Sequence, residues 1–167
     1  MSGGQDGTIR RWNISTWQPV GEPQSAHTGW VWCICAIDGP RRQPLRLASA
    51  GADGTVRLWD AATVDPVGDP LTGHTDQVRA VCQVRTADGR VLLASGAHDH
   101  TIRLWNPVNS APIQTIPLGI PVHALSQHPR TERFDRQSDG GTTLIVGTRD
   151  GVLAINLHES LFPYYRE

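Results

Sequence analysis

The chain contains no lysine; all fifteen of its basic residues are arginines. A phosphate-binding P-loop and Schiff-base chemistry both need a lysine amine, so both are excluded. Cysteine is scarce, three residues in all, an odd number that implies no disulfide framework. No apolar run approaches the roughly 18 residues that a membrane-spanning helix requires. Net charge is nearly absent too: sixteen acidic residues against fifteen basic ones leave −1, no field to gather nucleic acid or a membrane surface. The opening MSGGQDG has neither the basic nor the apolar region of a secretory signal, so the expected location is the cytoplasm. Plentiful Arg, Ala and Gly beside the missing Lys fit a GC-rich, bacterial genome.

What the chain has is repetition. SAGADGTVRLWD at residues 49–60 returns as SGGQDGTIRRWN at 2–13 and SGAHDHTIRLWN at 95–106. Asp6, Asp53, Asp99 and Asp150 mark equivalent points, 47, 46 and 51 residues apart. Between them one order of signals recurs: a His before an alternating apolar segment, a loop, an apolar run ending at the Asp, the Trp-bearing run, then a run containing Pro. Alternation with β-branched residues, and no sustained 3.6-residue period, predicts four short strands per repeat, a to d. Asp-Gly at 6–7, 53–54 and 150–151 predicts a tight b–c hairpin of type I′, with positive φ at both central residues. His100 replaces that Gly in the third copy.

Gly73-His74, Trp59-Asp60 and Trp105-Asn106, at this period, resemble WD40 repeats, which build β-propeller blades. The resemblance covers nearly the whole chain. It implies an all-β propeller fragment of about three and a half four-stranded antiparallel blades, an incomplete ring. The divisions are a partial blade over 1–24 (strands b to d) and blades over 25–71 and 72–117. A degenerate terminal blade follows over 118–157, with an insertion at 129–141, and then a tail over 158–167.

The resemblance also implies a hydrogen-bonded tetrad in each full blade: His27, Ser49, Asp53 and Trp59, then His74, Ser95, Asp99 and Trp105. The first copy has only Ser2, Asp6 and Trp12, because its His and strand a are missing. The last retains the Asp-Gly turn, with Val146 in the Ser position and Asn156 in the Trp position. Ser, His and Asp in each unit invite a hydrolase reading. No GxSxG elbow accompanies them, and an active site repeated once per blade has no mechanistic rationale. No catalytic residue, cofactor or metal site is expected.

About three and a half blades cannot close a ring of the usual size, and an open arc leaves apolar faces bare. The expectation is therefore the C-terminal piece of a longer, multidomain signalling or regulatory protein. The alternative is two copies closing a homodimeric ring through exposed blade faces. Proteins or peptides are the expected partners, with no nucleic acid and no membrane. By resemblance, partner-reading positions open strand a and precede the turn Asp: Trp30, Trp32, Gln77, Arg79, His98, His123 and Arg149. Trp and Arg are enriched among interface hot spots, and Trp30 and Trp32 point the same way along one strand. The competing reading packs Trp32 at the ring axis.

Cys33, Cys35 and Cys82 read as core filling. The His98-Asp99-His100 run does not converge easily on one ion. The a–b loops carry Arg41, Arg42, Arg85, Arg90, Arg130, Arg133 and Arg136 among Asp38, Asp88, Glu132 and Asp135, a mixed-charge solvated surface. A propeller contributing catalytic groups to an enzyme would need paired carboxylates on strand a, which has none.

Overall fold

The computed structural model describes residues 1–38, 45–86, 88–127 and 142–157. The insertion at 129–141, the tail over 158–167, and Arg41, Arg42, Arg130, Arg133 and Arg136 lie outside the described residues. Every regular element among them is a β-strand, in four antiparallel sheets. Blade 1 comprises β1 (Ser2–Gly3), β2 (Thr8–Asn13) and β3 (Gln18–Ser25). Blade 2 comprises β4 (Val31–Ile37), β5 (Arg46–Gly51) and β6 (Val56–Asp60). Blade 3 has the full four, β7 (Val78–Arg85), β8 (Val91–Ala97), β9 (Thr101–Trp105) and β10 (Pro112–Pro117). Blade 4 comprises β11 (Ala124–Gln127), β12 (Thr142–Thr148) and β13 (Gly151–Leu157).

The second blade departs from the expected four strands. Its outer edge holds only two isolated bridges, Trp59 with Pro66 and Val56 with Leu71. Pro66 and Pro70 have no N–H to give a ladder, and Gly68 between them sits at φ 70°.

The hairpin turns also differ from expectation. Positive φ is confined to the third loop residue, 75° at Gly7, 76° at Gly54 and 67° at His100, while Asp6, Asp53 and Asp99 stay negative. With Gly54 N–H on the Gly51 carbonyl (3.3 Å) and Gly51 N–H on the Thr55 carbonyl (3.1 Å), this is a type I turn closed by a bulge residue, not type I′. The bulge adds one residue to the hairpin. Blade 4 lacks it, since Thr148 pairs directly with Gly151. The register therefore shifts by one, and Ile155, opposite Leu144, occupies the Trp position that Leu93 faces in blade 3. Counting from the turn placed Asn156 there; its side chain lies on the opposite face, accepting from Thr143 at 2.7 Å.

Residues directly opposed in an antiparallel pair share a face. In blade 2 the front face carries Ser49, Arg57, Leu47 and Trp59, and the rear face carries Ala48, Ala50, Val56 and Leu58. Each front packs on the rear of the preceding blade. Ile9 of blade 1 meets Leu47 and Trp59; Ala48, Ala50, Val56 and Leu58 meet Val81, Leu93 and Trp105; Ile102 and Leu104 meet Leu144, Val146 and Leu157. Inner strands β4, β7 and β11 lie side by side. The blades follow one another without closing a ring. Blade 1's front, with Trp12 41% exposed, and blade 4's rear, with Val152 72% exposed, are bare in this chain.

Side-chain amides join neighbouring blades as well. Gln83 accepts from the Asp38 N–H at 2.6 Å. Gln127, at the equivalent point of blade 4, accepts from Arg85 N–H and donates to Arg85 C=O, both at 2.8 Å. Nothing within one repeat signals these contacts, because each Gln serves the repeat before its own.

Candidate functional site

The tetrad residues come together in both interior blades. In blade 2 the Trp59 Nε1–H donates to Ser49 Oγ at 2.9 Å, which lies 2.7 Å from His27 Nε2; His27 Nδ1 lies 3.0 Å from Asp53. In blade 3 the corresponding distances are 2.8 Å from Trp105 to Ser95, 2.8 Å from Ser95 to His74 and 2.8 Å from His74 to Asp99. An indole N–H can only donate and a carboxylate only accept, so the direction of each chain is forced. Trp donates to Ser, Ser donates to a neutral His at Nε2, and His donates from Nδ1 to Asp.

Burial disfavours the imidazolium of His27 and His74 more than the neighbouring carboxylates favour it, and both pKa values are lowered. Burial acts the other way on Asp53 and Asp99. It is outweighed by the Thr55 and Thr101 hydroxyls, the Thr28 and Thr75 N–H groups and the His partners, which hold both carboxyls below their usual range.

The Ser–His–Asp order matches a hydrolytic triad, but Ser49 and Ser95 are both 0% exposed and their oxygens already hold an indole N–H. No substrate carbonyl can reach them.

Blade 1 shows what remains without the His. Trp12 still donates to Ser2 at 2.9 Å, but Asp6 turns to Arg10 at 2.6 Å. The guanidinium, with the Thr8 hydroxyl and N–H, brings the Asp6 pKa down to about 2.

The second feature runs across three blades. A register irregularity interrupts the a–b ladder between Val31 and Cys33 and again between Val78 and Ala80. Trp32 and Arg79 are the extra residues, and pairing of Ala124 with Gly147 puts His123 at the same point of blade 4. Bulges re-aim side chains. The Arg79 guanidinium lies over the Trp32 ring, 3.5 Å from its centroid, and the Trp30 ring is 4.6 Å from Trp32. The His98 and His123 rings meet edge to face at 4.8 Å. Burial, then the nearby Arg79 and His123 charges, lower the His98 pKa.

Five of the seven sequence-selected positions thus form two touching groups on one face. Trp30 and His123 are exposed; Trp32, Arg79 and His98 are half-buried. Trp32 is neither a free surface ring nor a core residue, because Arg79 covers it. Gln77 takes part through its backbone, its carbonyl accepting the His98 N–H at 3.0 Å. Arg149 is exposed at the equivalent turn of blade 4 and joins neither group. The bulges that aim Trp32 and Arg79 had no sequence signal.

Cys33, Cys35 and Cys82 are free and half-buried, and burial pushes the Cys35 and Cys82 thiols up to about 12, away from thiolate chemistry. Among the described residues no group of His, Cys, Asp and Glu is arranged to hold a metal ion. On the opposite rim Arg85 lies 3.4 Å from Asp38 and Arg90 2.5 Å from Asp88, local pairing that fits a mixed-charge surface.

The sequence profile described as WD40, "WD domain, G-beta repeat", matches residues 17–60 and 66–106. Among solved structures the chain is similar to the WD40 beta propeller domain of Doa1, at 22% identity and a TM-score of 0.70, over 96% of this chain and 47% of that one. The chain thus spans about half the length of that structure. No curated protein matches the sequence.

Proposed function

Because the chain belongs to the WD40-repeat family, we propose that it is a non-catalytic platform for protein or peptide partners, read through the Trp30–Trp32–Arg79–His98–His123 face. Propellers of this family are generally protein–protein interaction scaffolds and generally not enzymes. The observation that carries the reading is the bulge pair that turns Trp32 and Arg79 into contact on the loop face instead of leaving them in the ladder. The sealed serines support the absence of chemistry.

A displayed peptide library selected on the chain tests it. Enriched peptides should lose at least about tenfold in affinity for a Trp30→Ala/Arg79→Ala/His98→Ala variant of unchanged denaturation midpoint, as loss of clustered hot spots requires. Peptides bound equally by that variant would place recognition elsewhere.

The arc itself fits one part of a larger ring in a longer protein. It covers about half of a solved propeller, and its bare front and bare rear are the two halves of the junction used between its own blades. Sedimentation of this 18.2 kDa chain is expected to show monomer and polydisperse association. A discrete dimer that survives dilution would instead favour two copies closing the ring.

A further inference from the structure

The loop face holds hydrogen-bond donors that find no acceptor among the described residues. Among the described residues the indole Nε1–H of Trp32 is shielded from solvent and has no partner, and neither has Nε2 of His98, a donor or an acceptor according to its tautomer. Arg79 stacks on Trp32 and makes no ion pair among the described residues, although its guanidinium has five N–H donors. A buried polar group without a partner is costly, and such groups in a folded chain call for an explanation. Both orphans are in ring contact with an exposed neighbour, Trp30 or His123. What the Trp32 N–H and the Arg79 guanidinium lack is an acceptor, preferably a charged one.

Resting on the platform reading above, we propose that this face selects an acidic peptide segment, one carboxylate taken by Arg79 beside the Trp32 indole N–H and another group by the paired His98 and His123. A carboxylate matches the guanidinium fork, and the exposed Trp30 ring supplies apolar contact for the peptide's stem atoms. Bulk attraction is not the source, since the whole chain carries −1.

Affinity should rise as pH falls toward the histidine range. The groups around His98 are Arg79 on β7, His123 before β11, Asp76 in the loop before β7 and His100 on its own turn. Arg79, His123 and His100 oppose its protonation, and only Asp76, whose Oδ1 already takes the Gln77 N–H at 2.7 Å, favours it. A bound carboxylate supplies the missing counter-charge, so binding draws a proton onto His98 and is stronger in acid.

Fluorescein-labelled hexaglutamate, hexaglutamine and a six-nucleotide oligothymidylate, titrated onto the chain by anisotropy at pH 6.0 and 8.0, test this. Hexaglutamate should bind at least about tenfold tighter than hexaglutamine, as charge-assisted hydrogen bonds allow. It should weaken severalfold from pH 6.0 to 8.0, lose about tenfold in Arg79→Ala and in His98→Ala, and weaken in Trp32→Phe, which keeps the ring under Arg79 but deletes the N–H. Arg85→Ala, on the opposite rim, should change nothing. Arg79→Lys should bind weakly, and it serves if Arg79→Ala fails to fold. Equal binding of hexaglutamine, no binding of hexaglutamate, or indifference to Arg79 and His98 overturns the proposal. So does oligothymidylate bound as tightly as hexaglutamate. Library peptides that depend on this face yet lack acidic bias would retain the platform and remove the anion preference; peptides indifferent to the face remove both.

Discussion

Trp105→Ala is expected to cost about 3–5 kcal/mol, the range for truncating a buried aromatic. Trp105 is 1% exposed and packs with Leu58, Val81 and Leu93 across the junction of blades 2 and 3, so its loss leaves a cavity between blades. It also removes the N–H that Ser95 accepts at 2.8 Å. The same substitution at Trp12 removes the same motif residue and the same Ser contact, but Trp12 is 41% exposed on an uncovered face. It should cost about 1 kcal/mol or less, as surface positions do. Urea denaturation of both variants reads the difference. Equal losses would mean that the motif acts through local hydrogen bonding and not through packing between blades.

Asp99→Asn, nearly isosteric, is expected to cost about 3 kcal/mol, since one amide group must face donors. Oδ2 accepts from His74 Nδ1 at 2.8 Å and from the Thr75 N–H at 3.1 Å; Oδ1 accepts from the Thr101 N–H at 3.0 Å and its hydroxyl at 2.7 Å. Both oxygens are fully engaged as acceptors, and the side chain is 6% exposed. An asparagine must turn an NH2 toward two of those donors. Retautomerising His74 does not rescue it, because the Thr75 N–H would still face the NH2 and the Ser95 hydroxyl would lose Nε2 as its acceptor. Asp6→Asn, at the exposed turn of blade 1 where Arg10 is the partner, should be close to neutral. The denaturation midpoints of the two variants check this; a mild Asp99→Asn would mean that the network tolerates a reversed dipole.

The features that were legible in the sequence are those that repeat. Asp, Trp, Ser and His recur at fixed offsets because blades 2 and 3 close the same hydrogen-bonded chain, and each of those repeats holds all four members. What sequence reading missed depends on register or on the next repeat. The bulges at Trp32 and Arg79 leave composition unchanged, so the stack between them could not be anticipated. The turn is set by which loop residue takes positive φ, and Asp-Gly fits both hairpin types. That ambiguity moved the Trp slot of blade 4 from Ile155 to Asn156. Gln83 and Gln127 look like ordinary strand residues until the neighbouring blade is in place.

The order of packing, front upon preceding rear, makes the chain a short one-dimensional stack in which blades 2 and 3 lean on two neighbours and blades 1 and 4 on one. Opening therefore starts at the ends and runs inward, like a zipper with two loose tabs. Backbone amides of β7 and β8 are the last to exchange with solvent, and those of β1–β3 and β13 the first. The Arg79–Trp32 contact spans the boundary between blades 2 and 3, so the recognition face is anchored where the stack lets go last.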